Sequence, residues 1–163
     1  MLKKGLVILF SVCLLLCGMI VWAKATLTEQ TIPIPTSTTT IPTEWNEENL
    51  KLLIEKIAGE EGFEQVDLLN QLASLESNWM LYDEILDVNG YFSRGIFHFQ
   101  LYTFLEQAEK YGVIPKGTSI EEGRILVMNP ELQIRTICRM GNDSLDNIKK
   151  HWVLSWLKIQ KRG

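Results

Sequence analysis

The sequence is poor in the residues that cross-link small domains or bind metals. It has three cysteines, and two of them, Cys13 and Cys17, lie in an apolar N-terminal run. Outside that run only Cys138 remains, so no disulfide can form within the rest of the chain, and Cys138 is expected to pack as a small apolar side chain. The two histidines, His98 and His151, have no Cys or His at ligand spacing. We therefore expect no zinc site.

Basic residues are outnumbered by acidic ones. The formal charge is −4, and without Lys3, Lys4 and Lys24 it falls by three further units to −7. A chain this acidic is a poor candidate for nucleic-acid binding. A P-loop, a dinucleotide fingerprint and a Ser-His-Asp pattern are also missing from the sequence. We therefore expect no nucleic-acid partner and no nucleotide cofactor.

A hydrophobic segment opens the chain. Lys3 and Lys4 precede an apolar run from Gly5 to Trp22, and residues 23–25, Ala-Lys-Ala, offer small side chains at the spacing that signal peptidase reads. The run of about 18 residues is near the lower limit for spanning a bilayer. We interpret residues 1–25 as a signal peptide or, if uncleaved, a membrane anchor. In either case the rest of the protein is extracytoplasmic, either secreted or held at the membrane.

Two regions follow this segment. Residues 26–44 are rich in Thr and Pro and lack apolar periodicity, so they are predicted to form a disordered linker. That linker either spaces a domain from the membrane or has no spacing role. Residues 45–163 suffice for one hydrophobic core and show no internal repeat. They are expected to form one monomeric domain.

Helical periodicity dominates the predicted domain, whose class is therefore mostly α. Strand signal is confined to the stretch from Val88 to Phe99, around an Asn89-Gly90 turn. Glycines, prolines and cap residues divide the helical part. We expect helices around Leu50 to Ile57, closed by Gly59 and Gly62, then Val66–Asn78, Leu101–Tyr111, Ile120–Met128, Asn129–Met140 with Gly141 as its stop, and a last helix with Leu145, Ile148, Trp152 and Trp156 on one face.

One acidic side chain has an unusual position on the second predicted helix. Glu76 follows, by three, four and seven residues, the members of an apolar stripe, Ala73, Leu72 and Leu69. Its carboxyl is therefore expected on the buried face at the helix end, where burial raises the pKa and favours a general acid. The alternative is a Glu that turns to solvent or pairs with Arg94 or Arg135.

The motifs around Glu76 follow a recognisable order. Glu76-Ser77-Asn78-Trp79 is followed by Ser93-Arg94-Gly95-Ile96-Phe97-His98-Phe99-Gln100, Thr103-Phe104 and Asn129-Pro130-Glu131-Leu132-Gln133-Ile134. This order resembles the lysozyme-like lytic transglycosylase family, the soluble lytic transglycosylase type. That family carries Glu-Ser-x-aromatic, Gly-hydrophobic-hydrophobic-Gln, Thr-aromatic and Asp-Pro-x-x-Asn-Ile segments. The resemblance covers most of residues 66–141.

The chain departs from the family pattern at two places. His98 stands where the family usually has Gln. The family's later Tyr-Asn-x-Gly region is missing, and the chain has His151, Trp152 and Trp156 there instead. Part of the sugar-binding wall is therefore expected to be built differently or to be absent.

The resemblance implies a lysozyme-like helical fold and an enzyme that acts on peptidoglycan glycan strands without a cofactor. Glu76 would protonate the oxygen between N-acetylmuramic acid and N-acetylglucosamine, then help the muramyl C6 hydroxyl close onto C1 as a 1,6-anhydro product. We expect the side chains of Phe97 and Phe104 inside, and Trp79 and Tyr91 at the groove. The implied substrate-binding residues are Ser77, Trp79, Tyr91, Gly95, Phe97, His98 and Gln100.

Three other functions stay open from the sequence. A second carboxylate beside Glu76 would make the protein a hydrolysing lysozyme. The nearest acidic residues, Asp83, Glu84 and Asp87, lie in a stretch that we interpret as a solvated loop, so the single-carboxylate route is preferred. The non-enzymatic alternatives are a glycan-binding module on the same fold and a helical domain that binds a protein partner.

Overall fold

The computed structural model describes residues 45–81 and 84–161. The predicted targeting segment 1–25 and linker 26–44 lie outside the described residues. Within the described ranges, no helix combines the length and the apolar character needed to cross a membrane.

The described chain is mostly α, as its periodicity predicts. Caps set where the helices begin. The Asn46 side chain accepts a hydrogen bond from the Asn49 backbone amide at 2.9 Å, and the Asn129 side chain caps a helix whose first residue is Pro130, as predicted. The helices are α1 Glu47–Glu61, α2 Val66–Glu76, α3 Leu101–Lys110, α4 Ile120–Leu126, α5 Pro130–Asp143, α6 Leu145–His151 and α7 Val153–Gln160.

Helices α2 and α4 end two residues before the predicted Asn78 and Met128, and α3 ends one residue before Tyr111. Three further differences concern a predicted stop or a break in a helix. Helix α1 continues past Gly59 and stops at Gly62 alone. Helix α5 continues past Gly141, where an added Cβ would overlap the Phe63 ring and lie 2.9 Å from Ile148, so this glycine permits close packing and does not stop the helix. The predicted last helix is two helices, because the backbone leaves helical geometry at Trp152 (φ −120°, ψ 48°).

A small antiparallel sheet lies between α2 and α3 in the chain. Its strands are β1 Ile85–Leu86, β2 Phe92–Arg94 and β3 Phe99–Gln100, in that order, and the first two are joined through the predicted Asn89-Gly90 turn. Strand β1 lies before the stretch from Val88 to Phe99 in which strands were predicted. Ser93 is opposite both Ile85 and Gln100, and the Asp87 backbone amide donates to the Tyr91 carbonyl at 2.8 Å. Opposed residues share a face, and alternate residues of a strand return to it. Asp87, Tyr91, Ser93 and Gln100 therefore lie on one face of the sheet.

The core joins the helices to the inner end of this sheet. Helix α1 packs against α2 and α5, and α7 packs against α2. Phe97 and Phe104 are fully buried, as predicted, and Phe99 contacts Trp152 edge to face. Cys138 is also fully buried, and burial raises the pKa of its thiol to about 12. Cys138 is thus an apolar packing residue, in agreement with its predicted role.

Candidate active site

Glu76 is the last residue of α2, and its side chain is only 19% exposed. Burial raises the pKa of this carboxyl, the nearby charge of Asp87 raises it further, and a hydrogen bond from Ser155 and the charge of Lys158 act in the opposite direction. The pKa stays above the usual Glu value, so Glu76 is protonated over a wider pH range than an ordinary Glu. The carboxyl therefore has the property that a general acid needs.

The predicted alternative for Glu76, a pair with Arg94 or Arg135, is wrong. Buried Arg94 forms an ion pair with Glu84. Arg135 binds acidic residues of α1 and α5, namely Glu60, Glu61 and Glu131. Both guanidinium groups therefore form ion pairs with carboxylates other than that of Glu76.

Three side chains from different parts of the chain hold the turn after β2. The Ser77 hydroxyl donates to the Ile96 carbonyl at 2.9 Å, and the Trp152 indole donates to the Phe97 carbonyl at 2.8 Å. The Gln133 amide accepts from the Phe97 backbone N–H at 3.1 Å and donates to the carbonyl of Arg94. Because Ser77, Gln133 and Trp152 are all buried, these bonds are shielded from water. The turn is fixed in place, and it presents His98 to Glu76.

His98 lies beside Glu76 without forming a charged pair with it. Its Nδ1 is 3.7 Å from Glu76 Oε2, which is longer than a hydrogen bond. Burial lowers the pKa of His98, while Asp87 acts in the opposite direction. The imidazole is therefore neutral at neutral pH and does not favour the ionised form of Glu76.

Backbone strain is concentrated around Glu76. Among the residues of 45–81 and 84–161 other than glycine, Asn78, Trp79 and His98 have positive φ, at 51°, 65° and 49°. This conformation costs an L-residue about 1–2 kcal/mol; Asn and His adopt it more readily than most residues, and Trp rarely adopts it. Asn78 and Trp79 follow Ser77, the C-cap of α2, and His98 lies beside Glu76. Such strain is typical of functional sites, where the surrounding structure enforces it.

Asp87 does not lie in a solvated loop, so that interpretation is wrong for this residue. It is half-buried, and it accepts hydrogen bonds from the Ser93 hydroxyl and from Gln100 Nε2, the latter at 3.1 Å. Its charge raises the pKa of both Glu76 and His98. The face of the sheet that carries Asp87 is therefore electrostatically coupled to Glu76.

The other two acidic candidates do not reach this position. Asp83 lies outside the described residues. Glu84 is paired with Arg94 and lies 3.7 Å from Arg124. Asp87 is thus the second carboxylate of this site within the described part of the chain.

The structure divides the predicted substrate-binding residues into two groups. Ser77, Trp79 and Phe97 are buried, so their side chains serve the core and the turn, and the predicted groove position of Trp79 is wrong. Trp79 is 8% exposed, and Lys51 Nζ lies 5.1 Å from its ring centroid. Tyr91, 58% exposed, lies on the face that carries Asp87 and Gln100, and His98 lies beside Glu76.

Two residues of the site, Ser155 and Gln133, were not predicted from the sequence. Ser155 is buried in the first turn of α7, and its hydroxyl contacts Glu76. The helical face that includes Trp152 and Trp156 could have drawn attention to Ser155, which shares it. Gln133 stands at the Asn position of the resembled Asp-Pro-x-x-Asn-Ile segment. That correspondence could have identified Gln133 as a residue of the site.

Comparisons of the chain with protein-family models, curated proteins and solved structures found no match. The function is therefore inferred from the geometry around Glu76 and from the motif resemblance. Within residues 45–81 and 84–161, no group of three His, Cys, Asp or Glu side chains could hold a metal ion.

Gly95 is needed for the turn that carries His98. It has φ +72°, and an added Cβ would overlap the Gln133 side-chain amide. Gly95→Ala should lower the free energy of unfolding by about 2–4 kcal/mol, because the strained φ adds to the disruption of a buried hydrogen-bonding side chain. Urea denaturation followed by tryptophan fluorescence would measure the loss.

Gly90→Ala is the matched control for this substitution. Gly90 also has a positive φ, +81°, but an added Cβ would meet open space. In the control, the free energy of unfolding should fall only by the conformational cost of the positive φ, about 1–2 kcal/mol. Equal losses for the two variants would contradict the proposed role of the Gln133 contact.

Proposed function

We propose that the protein is an exported enzyme with a lysozyme-like fold that cleaves peptidoglycan glycan strands between N-acetylmuramic acid and N-acetylglucosamine. The observation that carries this proposal is a carboxyl with a raised pKa at the end of α2, beside the face of the small sheet that carries Asp87. Glycosidases use a carboxylic acid kept protonated in this way to protonate the leaving oxygen. Glu76 is that acid.

The surroundings of Glu76 support a sugar as the substrate. Tyr91 offers an exposed aromatic ring on the face of the sheet that carries Asp87, and sugar rings stack on such surfaces. His98, neutral and held by the fixed turn, offers a polar group that orients a substrate without ionising Glu76. The chemistry needs no cofactor, because proton transfer and charge stabilisation come from side chains.

The motif resemblance favours lytic transglycosylation as the route. In this route Glu76 donates its proton to the glycosidic oxygen, and the C1–O bond breaks. The muramyl C6 hydroxyl then attacks C1 and returns a proton to Glu76. The attack is intramolecular, which avoids the entropic cost of capturing a water. The expected products carry 1,6-anhydromuramyl ends.

Hydrolysis is the second candidate route, and the placement of Asp87 favours it. Two-carboxylate glycosidases pair a buried acid with a second carboxylate in a polar, hydrogen-bonded setting. Asp87, which accepts from Ser93 and Gln100, has such a setting. In that route water attacks C1, and the products carry reducing muramyl ends.

Clearing of a peptidoglycan-containing gel by the purified protein tests the proposal. A cleared band at the mass of the protein supports wall cleavage. An uncleared gel, combined with binding of the protein to purified wall, would instead support the glycan-binding alternative.

His98→Gln tests whether His98 orients substrate or exchanges the main proton. Because the neutral imidazole is 3.7 Å from Glu76 Oε2, we expect the variant, which restores the family's usual residue, to keep most of the activity. The rate of turbidity loss of a wall suspension measures it. Complete loss in a folded variant would show that His98 itself carries chemistry.

A further inference from the structure

We infer that Ser155 is a positioning residue for Glu76: its hydroxyl fixes the carboxyl so that one oxygen is tied to α7 and the other is left for the substrate. This inference rests on the proposed function of Glu76. Ser155 stands in the C-terminal region where the resembled family's Tyr-Asn-x-Gly segment is missing. The role therefore belongs to a part of the chain that the resemblance does not cover.

The contact itself is short and shielded. Ser155 Oγ donates to Glu76 Oε1 at 2.5 Å, and Ser155 is 4% exposed. Helix α7 packs on α2, so the two side chains meet between packed helices. A hydrogen bond in such a place is stronger than one in water, and it restricts the rotation of the carboxyl.

The break between α6 and α7 sets the direction of Ser155. Trp152, at the break, is buried and donates its indole N–H to the Phe97 carbonyl. Ser155 lies in the first turn of α7, which begins directly after Trp152, and both side chains are buried. Trp152 therefore holds the turn that carries His98 and also fixes the start of the helix that carries Ser155.

This arrangement gives the two carboxyl oxygens different tasks. Oε1 accepts from Ser155, and Oε2 lies on the His98 side. The acid proton is therefore placed on Oε2, from which it passes to the glycosidic oxygen as the C1–O bond breaks. The carboxylate that remains keeps the Ser155 hydrogen bond, which becomes stronger when its acceptor is charged.

The polar and titratable groups that face Glu76 come from α7, from the sheet region and from the turn after β2. Ser155 and Lys158 of α7 favour the carboxylate, whereas burial and Asp87 of the sheet favour the protonated form. His98, from the fixed turn, is neutral at neutral pH. Ser155 therefore opposes the effect of burial on the pKa of Glu76, and its removal should raise that pKa further.

Ser155→Ala in the full-length chain, held in detergent micelles, tests this inference. Glu76 acts while protonated, so activity falls as pH rises through its pKa. We expect the alkaline limb of the pH–activity profile to move to higher pH and kcat at the optimum to fall about tenfold, the scale of a lost hydrogen bond to a charged group. A carbon-13 NMR titration of the Glu76 carboxyl should show the same upward movement.

Two control variants separate this role from a general loss of packing. Ser155→Thr keeps the hydroxyl and should keep the alkaline limb of the parent. Thr136→Val removes another buried hydroxyl, one that donates to the Leu132 carbonyl within α5, and should not move the limb. Thermal unfolding of each variant establishes that the compared proteins are folded.

The titration also separates this inference from the proposed function. A Glu76 pKa that is unchanged in folded Ser155→Ala would overturn the role of Ser155, whether or not the protein cleaves wall. An inactive parent would overturn the proposed function, and the movement of the Glu76 pKa on loss of the Ser155 hydroxyl would still support the contact.

Discussion

Glu76→Gln should lower the rate of wall cleavage by about 10²–10⁴-fold, the contribution of a positioned general acid. The amide has nearly the shape of the protonated carboxyl, and its oxygen can still accept from the Ser155 hydroxyl. It cannot deliver a proton to the leaving oxygen, so the loss is chemical. Turbidity loss of a purified wall suspension measures the rate, and thermal unfolding should show an intact fold.

Glu55→Gln is the matched control for the loss of a carboxylate. Glu55 is exposed on α1, so its replacement changes the charge by the same amount without touching the site. The control should cleave wall at the parental rate. Parental activity in Glu76→Gln would remove Glu76 from the mechanism.

Asp87→Asn should lower the rate by about 10²-fold, the scale of one preorganised electrostatic contact to the transition state. In the proposed reaction, cleavage builds positive charge at C1 and the ring oxygen, which the Asp87 carboxylate would stabilise. Because Asp87 also raises the pKa of Glu76, the alkaline limb of the pH–activity profile should move to lower pH in the variant. The rate and the profile are measured together on purified wall.

The products of the parent and of Asp87→Asn distinguish the two routes. If the muramyl C6 hydroxyl is the nucleophile, both proteins release anhydromuramyl ends. Reducing ends from the parent and complete loss in the variant would assign hydrolysis to Asp87. Asp146→Asn, an exposed carboxylate at the start of α6, should behave as the parent does. A parental rate in Asp87→Asn would show that its charge has no part in catalysis.

Local patterns in the sequence predicted the helices and the position of Glu76. The i, i+3, i+4, i+7 spacing depends only on the helical repeat, so the stripe of Leu69, Leu72 and Ala73 correctly placed Glu76 at the buried end of α2. The Asn129-Pro130 start of α5 was also predictable, because cap chemistry is local. The turn at Asn89-Gly90 followed from its residues, whereas the first strand of the hairpin, Ile85–Leu86, was not predicted.

Features that depend on register and on helix breaks could not be predicted in this way. The face on which Asp87 lies is set by the pairing of Ile85 with Ser93, and a shift of one residue would reverse it. Trp79 turns into the core because its backbone adopts a positive φ after α2, a conformation that aromatic residues rarely take. Ser155 meets Glu76 only because the chain breaks at Trp152 and begins a new helix.

The most direct test of the central claim is the identity of the bond that the purified protein breaks. Purified peptidoglycan would be incubated with the parent protein, and the released fragments would be analysed by mass spectrometry. Cleavage with Glu76 as the acid predicts fragments that end in muramic acid, and the preferred transglycosylase route predicts the 1,6-anhydro form of those ends, one water lighter than the reducing ends of hydrolysis. Fragments that end in N-acetylglucosamine, products of peptide cleavage, or no released fragments at all would contradict the claim.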